Sequence, residues 1–494
     1  MLLLGIDLGT SSIKATVVDA ATLQPIASAK YPEGENEIIS LQPDWAEQSP
    51  KVWWEHVQLA ILKLHAQRKY NPQDIAAIGI AYQMHGLVMI DKEQKVLRNS
   101  IIWCDSRAVE IGDKAFEAIG KEKCLLRLLN SPGNFTASKL AWVKQNEPKL
   151  YEKIDKIMLP GDFISMKLTG EATTSIAALS EGIFWDFQQN ELSKDVFEHY
   201  GLSTSFVPKI KNVFAEHGKL TVSVAAALSM KEGIPVTYKA GDQPNNALSL
   251  NVLQPEEVAA TAGTSGVIYG VSDQLTYDDE SRVNTFAHVN YTTEQKRLGV
   301  LLCVNGTGIL NRWIKTMAGT EVSYQQMNEL AKSVKPGSDG VSIFPFGNGA
   351  ERMLNNKIIG ACIQNIDFNK HSNAHLFRAA QEGIAFALRY GLDIMRENGM
   401  NPKVIRASKA NMFLSDVFTE SFANVNNVAV EFYEGDGSFG AAIGAGIGSG
   451  IFSDASSASK NRKPVAVIEP KQTALYNELY ENWKKLLEQK LIDS

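Results

Sequence analysis

The chain has little cysteine, no block of basic residues and no long apolar run, and each absence narrows what it can do. Its four cysteines, Cys104, Cys124, Cys303 and Cys362, are scattered without Cys-x-x-Cys spacing. That excludes a disulfide framework and a zinc ribbon, and fits free thiols in a reducing compartment. Lysine and arginine total 49 against 55 aspartates and glutamates, a formal net charge of -6. With no stretch that concentrates positive charge, nucleic acid and anionic membrane are excluded as main partners. No apolar stretch approaches the ~20 residues that span a bilayer. The opening Met1-Leu2-Leu3-Leu4 turns at Gly5 and has neither the basic segment nor the apolar length of a secretory signal, so a cytoplasmic protein is expected. What remains is 494 residues, 44% hydrophobic and 21% charged: an ordinary globular composition, long enough for two or three domains.

Two short segments stand out. The first is Gly5-Ile6-Asp7-Leu8-Gly9-Thr10-Ser11, followed by Ser12-Ile13-Lys14; the second, far downstream, is Thr261-Ala262-Gly263-Thr264-Ser265-Gly266. Each lies between apolar, β-prone runs, Leu2-Leu3-Leu4 with Ala15-Thr16-Val17-Val18 and Val258-Ala259-Ala260 with Val267-Ile268-Tyr269. Glycine lets the backbone approach a ligand, and successive N–H groups in such a turn form an anion-binding nest. Either hairpin alone reads as an ordinary turn. Their repetition, and the aspartate in the first, point to two related domains gripping one polyphosphate.

The remaining pattern alternates strands with helices. Residues 2–8 and 13–19 pair as a hairpin, and Gln24 to Lys30 adds a third strand. Ser49 to Arg68 is helical, with Trp53, Val57, Ile61 and Leu64 on one face. Ile75 to Ala81 is a buried strand, Leu87 to Asp91 another, and 105–155 is mostly helical. Pro235 to Tyr238 is a strand. Further strands fall near 285–304, with helices near 305–317 and 323–333 and a longer one from His375 to Asn398. Strand Val404-Ile405-Arg406, a helix from Phe413, strand Val428 to Tyr433 and a Gly/Ala-rich helix from Gly440 to Gly448 follow. Residues 453–466 read as a surface connection. The end repeats Leu475-Leu479-Trp483-Leu486/Leu487, a final amphipathic helix. The class is α/β, with a sheet in each half.

A carboxylate stands at a strand end in Tyr238-Lys239-Ala240-Gly241-Asp242-Gln243-Pro244. Strand ends open onto the ligand crevice of α/β folds, where Asp242 suits a general base. Gly-Asp-Gln-Pro equally suits a helix N-terminus, and the two roles are compatible.

Taken together, these segments resemble the FGGY family of sugar kinases over nearly the whole chain. Asp7 to Ser11 resembles the family's first phosphate hairpin and Gly263-Thr264-Ser265 the second, while Gly241-Asp242 matches the motif of the catalytic base. Trp103-Cys104-Asp105-Ser106-Arg107 matches Trp-x-Asp-x-Arg, and Phe135 to Trp142 is similar to the first family signature. Gln83-Met84-His85-Gly86 and Trp45-Ala46-Glu47-Gln48 are similar to motifs of the xylulose-phosphorylating branch. The resemblance implies a two-domain actin/hexokinase-like (ribonuclease H-like) ATPase fold with a deep interdomain cleft. It implies a sugar-binding domain over 1–245, a nucleotide-binding domain over 246–494, a hinge near 240–255 and closure on binding. It also implies ATP and Mg2+ as cofactors, transfer to the 5-hydroxyl of D-xylulose, and a homodimer as the assembly to look for.

By the same resemblance Asp242 accepts the hydroxyl proton and Asp7 orients Mg2+ through water. The acceptor site would use Gln83, Met84, His85, Trp103, Asp105 and Asp242, with His85 donating to a sugar hydroxyl. The nucleotide would meet Gly9, Thr10, Ser11 and Lys14 in the first half and Gly263, Thr264, Gly306, Ser408 and Asn411 in the second. Asp105 and Arg107 form either a surface ion pair or part of the cleft lining. Trp45 packs either on the sugar or on the first sheet, and Asp162 caps a helix. The chain departs from the family pattern at Ala407-Ser408-Lys409, where a Gly-Gly-Gly turn is usual, and also at Gln364 and Asn134. A Cβ at position 408 would narrow an adenine slot or change the turn. Other acceptors (ribulose, gluconate, glycerol), a non-catalytic sugar sensor and an actin-like ATPase are the alternatives.

Overall fold

The structure, a computed structural model, describes residues 1–319, 321–459 and 462–493. It is built on two sheets of the same plan. In the first, β1 (Leu2–Leu8), β2 (Ile13–Asp19) and β3 (Pro25–Tyr31) form an antiparallel meander. The other edge of β1 is parallel to β4 (Ile75–Tyr82), which is parallel to β6 (Pro235–Gly241), with β5 (Phe214–Lys219) on the edge; the order is β5-β6-β4-β1-β2-β3. In the second, β7 (Glu257–Ala262), β8 (Gly266–Ser272), β10 (Leu298–Val304) and β9 (Asn284–Ala287) meander in space. Beyond β7 lie the parallel strands β11 (Val404–Ser408) and β12 (Val430–Tyr433), then β13 (Ala466–Ile468), in the order β9-β10-β8-β7-β11-β12-β13. The repeated Gly-Thr-Ser of the sequence is thus a repeated structure, since each copy turns the first hairpin of its own sheet.

Helix α1 (Pro50–His65) buries Trp53, Val57, Ile61 and Leu64 against the first sheet, the face its spacing predicts. Helix α2 (Pro160–Thr169) packs on the same core. Strand β6 runs directly into α3 (Asp242–Ser249), so the boundary expected between 245 and 246 falls inside a continuous helix. Helices α4 (Thr307–Ala318) and α5 (Asn373–Glu397) belong to the second core.

Helix α6 (Gly437–Gly448) follows the second sheet in sequence yet packs on the first, against β1, β4 and β6. Its small residues let it approach the strands at backbone distance. A Cβ at Gly5 would lie 1.8 Å from the Ser438 carbonyl oxygen, and one at Gly79 would lie 2.0 Å from that of Ala441. From the helix side, a Cβ at Gly448 would lie 1.9 Å from the Thr237 carbonyl oxygen. Thr237 Oγ1 donates to the Ala445 carbonyl at 2.8 Å, and Asn245 Nδ2 donates to that of Gly437 at 2.8 Å. Residues 437–448 therefore complete the first lobe.

The final helix, α7 (Thr473–Ile492), packs on the second core, with Tyr476, Tyr480, Trp483 and Leu487 buried. Of the expected stripe, Trp483 and Leu487 are buried and Leu479 and Leu486 pack against this core, whereas Leu475 is exposed and Tyr476 and Tyr480 complete the buried face. The tyrosines win the interior because their hydroxyls find partners there. Tyr480 donates to Asp393 at 2.8 Å, and Tyr476 accepts from Arg378 at 3.0 Å. Within 453–466, Ala455–Ser459 forms a short helix, while residues 460 and 461 of that expected connection lie outside the described residues. Among the described residues no helix is long and apolar enough to cross a membrane.

Gly79→Ala is expected to destabilise the first lobe by about 3 kcal/mol, the upper range for overpacking a tight interior. Thermal denaturation checks this against Gly34→Ala, whose new Cβ meets nothing within 4 Å. Equal midpoints for the two variants would show that the trough under α6 is loose.

Candidate active site

The ends of β1, β4 and β6 converge on one floor. Asp7, near the end of β1, sits opposite Lys14 on β2, and Asp242 follows the last residue of β6. Burial, with Asp242 and Asp436 nearby, pushes the Asp7 carboxyl up to about 7 against the opposing pull of Lys14. Burial also pushes Asp242 up to about 6, although the Gln243 amide holds it back. Asp436, just ahead of α6, accepts from Phe439 N at 3.0 Å and Ser438 Oγ at 2.7 Å, and pairs with Lys14. A Cβ at Gly437 would lie 2.1 Å from Asp7 Oδ2, so the helix N-terminus presses on the carboxylate. Among the described residues no three carboxylate, histidine or cysteine side chains converge closely enough to cage a metal. This donor set fits a divalent ion held mostly by water and phosphate oxygens, as Mg2+ usually is.

The first hairpin is braced from outside. Thr10 Oγ1 donates to Gln83 Oε1 at 3.2 Å and accepts from Trp103 Nε1 at 2.9 Å, while Gln48 Nε2 donates to the Thr10 carbonyl at 2.9 Å. Gln83 also donates to Gln48 at 3.0 Å and is fully buried. Gln83 and Trp103, expected in the acceptor site, are thus bonded to the phosphate hairpin; Trp103 is 53% exposed. Asp105 is fully buried rather than at the surface. Its carboxylate accepts from the Ala46 amide at 2.6 Å and from Arg107 Nη2 at 2.6 Å, leaving no edge for a ligand. The Arg107 guanidinium stacks 3.8 Å from the Trp45 ring and 4.9 Å from that of Trp142, so Trp45 packs on this clamp.

Met84 lies against Gly241, next to Asp242. A Cβ at Gly241 would lie 2.6 Å from Met84 Cγ, so Met84 covers the strand end beside the carboxylate. His85 has φ 62°, in the left-handed region that is uncommon for a residue with a Cβ. Three bonds hold it there. Its Nδ1 bonds the Glu181 carbonyl at 2.9 Å, and its own carbonyl accepts from Lys139 Nζ at 3.1 Å and Thr136 Oγ1 at 3.2 Å. Burial, with the charge of Lys139, pushes the imidazole down to about 3, so it is neutral. A carbonyl only accepts, so the proton sits on Nδ1 and Nε2 presents a lone pair. The free Nε2 can therefore accept a hydrogen bond but not donate one, the reverse of the expected direction.

Three side chains of this site carried no clear mark in the sequence. Lys139 is fully buried and joins two loops by also donating to the Ile102 carbonyl at 2.9 Å. Burial pushes its ammonium down to about 7, partly offset by Asp105 and Cys104. Glu181 is 2% exposed and lies against Gly241 and Tyr82. Burial, then Asp242 and Asp162, push its carboxyl well above the usual range. A lone glutamate in the apolar run Ile176 to Phe187 was the available signal. Phe286 arrives from β9 of the second sheet, its ring centroid 5.3 Å from that of His85, and no local pattern announces it. Asp162, expected as a cap, pairs with Lys239 at 2.6 Å in the interior and anchors β6 behind Asp242.

On the second sheet, the Gly263 and Thr264 carbonyls accept from Gly308 N at 2.9 Å and Ile309 N at 3.2 Å, which fixes the hairpin on the start of α4. Gly306 is needed there, because a Cβ would lie 1.3 Å from the Pro345 carbonyl oxygen. Beside the hairpin is a cleft of about 370 Å³ lined by Gly263, Thr264, Arg312, Tyr324 and Asn411, among others. Ser408 closes β11 and donates to the Gly435 carbonyl at 3.2 Å. Its Cβ is not part of that lining, so the departure from a triple glycine does not narrow the cleft.

Twin glycine hairpins on matching sheets, with acidic strand ends between them, define a two-lobed actin/hexokinase-like phosphotransferase. Residues 2–249 match the N-terminal domain, and residues 258–449 the C-terminal domain, of the FGGY family of carbohydrate kinases. The chain belongs to that family, and it is an enzyme that phosphorylates an alcohol group. The chain is 28% identical over 413 residues to the xylulose kinase of Haemophilus influenzae, covering 82% of this chain and 81% of that one. A xyloylose kinase from Brucella ovis superposes with a TM-score of 0.88 at 26% identity, covering 99% of both chains. A gluconate kinase from Lactobacillus acidophilus shares the fold, with a TM-score of 0.89 at 20% identity over 99% of this chain and 98% of that one.

Lys139→Gln is expected to raise KM for the sugar roughly tenfold, as loss of charged hydrogen bonds does, with KM for the nucleotide unchanged. Steady-state kinetics with each substrate varied in turn checks this, and equal effects on both would remove Lys139 from the support of His85.

Proposed function

We propose that this carbohydrate kinase transfers the γ-phosphate of ATP to the 5-hydroxyl of D-xylulose, with Asp242 as general base. The observation that carries the reading is the arrangement at the end of β6, where Met84 and Glu181 lie against Gly241 beside Asp242 and the Glu181 carbonyl fixes the His85 imidazole. An apolar thioether lies next to a carboxylate that is mostly ionised at neutral pH, with a fixed imidazole lone pair one residue along the chain from it. The xylulose kinase relatives support the choice of sugar.

Asp242 takes the proton as the hydroxyl oxygen attacks phosphorus. A carboxyl raised to about 6 is a better proton acceptor than an ordinary one and still ionised at pH 7. His85 Nε2 accepts from a sugar hydroxyl and so orients the acceptor. Backbone N–H groups of Thr10 and Ser11 on one side and Gly263 and Thr264 on the other would meet the polyphosphate, while that of Gly9 closes the hairpin on the Ser12 carbonyl at 3.1 Å. Lys14 is free to leave Asp436 for a phosphate oxygen, since both are part-exposed. Asp7 would hold Mg2+ through water, and that ion would offset charge on the phosphate oxygens. The adenosine would lie in the cleft beside Asn411.

Asp242→Asn is expected to lower kcat by about 10²–10⁴ while leaving sugar binding by calorimetry intact; a near-normal kcat would take the base role from Asp242. In the unaltered enzyme, kcat/KM should fall as pH drops through about 6, because protonated Asp242 cannot accept the hydroxyl proton. An acid limb near the ordinary aspartate value of about 4 would count against this. Coupled ADP-release assays across D-xylulose, D-ribulose, glycerol and gluconate test the substrate, and a preference for another acceptor would overturn D-xylulose.

A further inference from the structure

Strand β9 lies at the edge of the second sheet, with β10 on one side of it. An edge strand turns the N–H and C=O groups of alternate residues outward, and where that edge is buried they need partners. Thr285, Phe286 and Ala287 are all buried, and the first lobe supplies the partners. The Asn130 amide meets both groups of Thr285: Nδ2 donates to its carbonyl at 2.6 Å, and Oδ1 accepts from its N–H at 3.0 Å. Ser180 Oγ accepts from the Ala287 N–H at 2.9 Å and donates to the Ala177 carbonyl at 2.8 Å. A primary amide that bonds one residue's N–H and C=O together stands where a further strand would. Asn130 is 3% exposed, so both of its bonds to Thr285 lie in the interior.

The two segments that hold β9 are also the two that frame His85. Asn130 belongs to the loop between helices Lys121–Leu128 and Thr136–Asn146. That loop ends at Phe135, whose ring stands edge-on to the imidazole at 4.9 Å. Ser180 precedes Glu181, whose carbonyl bonds His85 Nδ1 at 2.9 Å. Phe286 meets the imidazole at 5.3 Å and the Phe135 ring, again edge-on, at 5.8 Å. One hydrogen bond at Nδ1 fixes a corner of the imidazole and leaves its tilt open. Two aromatic neighbours in a close-packed interior remove that freedom. The direction of the Nε2 lone pair therefore depends on where Phe286 stands, and Phe286 stands where the bonds to Thr285 and Ala287 put it.

Resting on the sugar-kinase reading above, we infer that Asn130 is a positioning residue for the acceptor site: its amide locks β9 onto the first lobe, so that Phe286 aims the His85 imidazole at the acceptor. It acts through Phe286 and not by touching the sugar. The acceptor grip is then made by both lobes, with the imidazole from the first and its backstop from the second. An amide that merely satisfied a buried strand edge would support the fold without favouring one substrate over the other.

The test measures KM for the acceptor and for ATP in the unaltered enzyme, Asn130→Ala, Phe286→Leu and the double variant. The acceptor is whichever of D-xylulose, D-ribulose, glycerol and gluconate the unaltered enzyme phosphorylates best. Asn130→Ala should raise the acceptor KM about tenfold, within the range for two lost hydrogen bonds, with KM for ATP unchanged. Phe286→Leu should act in the same direction, and the double variant should be no worse than the worse single one, because both changes break one chain of contacts. An unchanged acceptor KM, an equal rise in KM for ATP, or effects that multiply in the double variant overturns the inference. If Asn130→Ala shows no cooperative thermal transition, Ser180→Ala, which leaves the Ala287 N–H unmet, takes its place under the same criteria. A preference for an acceptor other than D-xylulose overturns the substrate proposal and leaves this comparison intact. If none of the four is phosphorylated, the substrate proposal fails separately. Calorimetric affinities of the four compounds then decide the role of Asn130, and equal affinities for the unaltered protein and the variant, absence of binding included, overturn it.

Discussion

The contact of a glycine-rich helix with the first sheet is the constraint on which the rest depends. Helix α6 lies so close to β1, β4 and β6 that neither surface tolerates a methyl group at Gly5, Gly79 or Gly448. Close-packed interiors transmit displacement rather than absorb it. The helix therefore fixes where its own N-terminus points, and that N-terminus brings Asp436 to Lys14 and Gly437 against Asp7. The phosphate hairpin of one lobe and the strand crossovers of the other meet through this helix.

What the floor gains in position it loses in electrostatic comfort. Asp7, Asp242 and Asp436 gather where burial already disfavours charge, and Lys14 is the cation that answers them. Behind them burial holds the Glu181 carboxyl well above the usual range, while the Lys239–Asp162 pair is buried with further bonds from Lys239 to Thr173. Such a cluster is unfavourable for folding and useful for chemistry, because a site that strains against its own charge favours an incoming cation and a proton.

Much of this was legible before the fold was known, for reasons that differ by residue. The hairpins at Gly9 and Gly263 were readable because a turn that cradles anions needs glycine and hydroxyls in a fixed order. The buried face of α1 was readable because its period is that of a helix. Gln83, Trp103 and Asp105 were found as notable residues, but their partners were not. Which group a polar side chain bonds is decided by Thr10, Gln48 and Arg107 arriving from elsewhere. Phe286 was invisible for the same reason, since it reaches His85 from the other sheet. On α7 the expected stripe found Leu479, Trp483 and Leu487 but missed Tyr476 and Tyr480, whose hydroxyls had Arg378 and Asp393 to meet.

The return of α6 to the first sheet also sets an order of assembly. A ribosome releases β1, β4 and β6 long before residues 437–448, so for most of synthesis the glycine-lined trough faces solvent without its helix. Strands with an uncovered face are where nascent chains associate wrongly. The first lobe cannot reach its final form as an independent N-terminal unit. It waits for nearly the whole chain: a product truncated before Gly448 leaves the trough incompletely covered, however well its second core has folded.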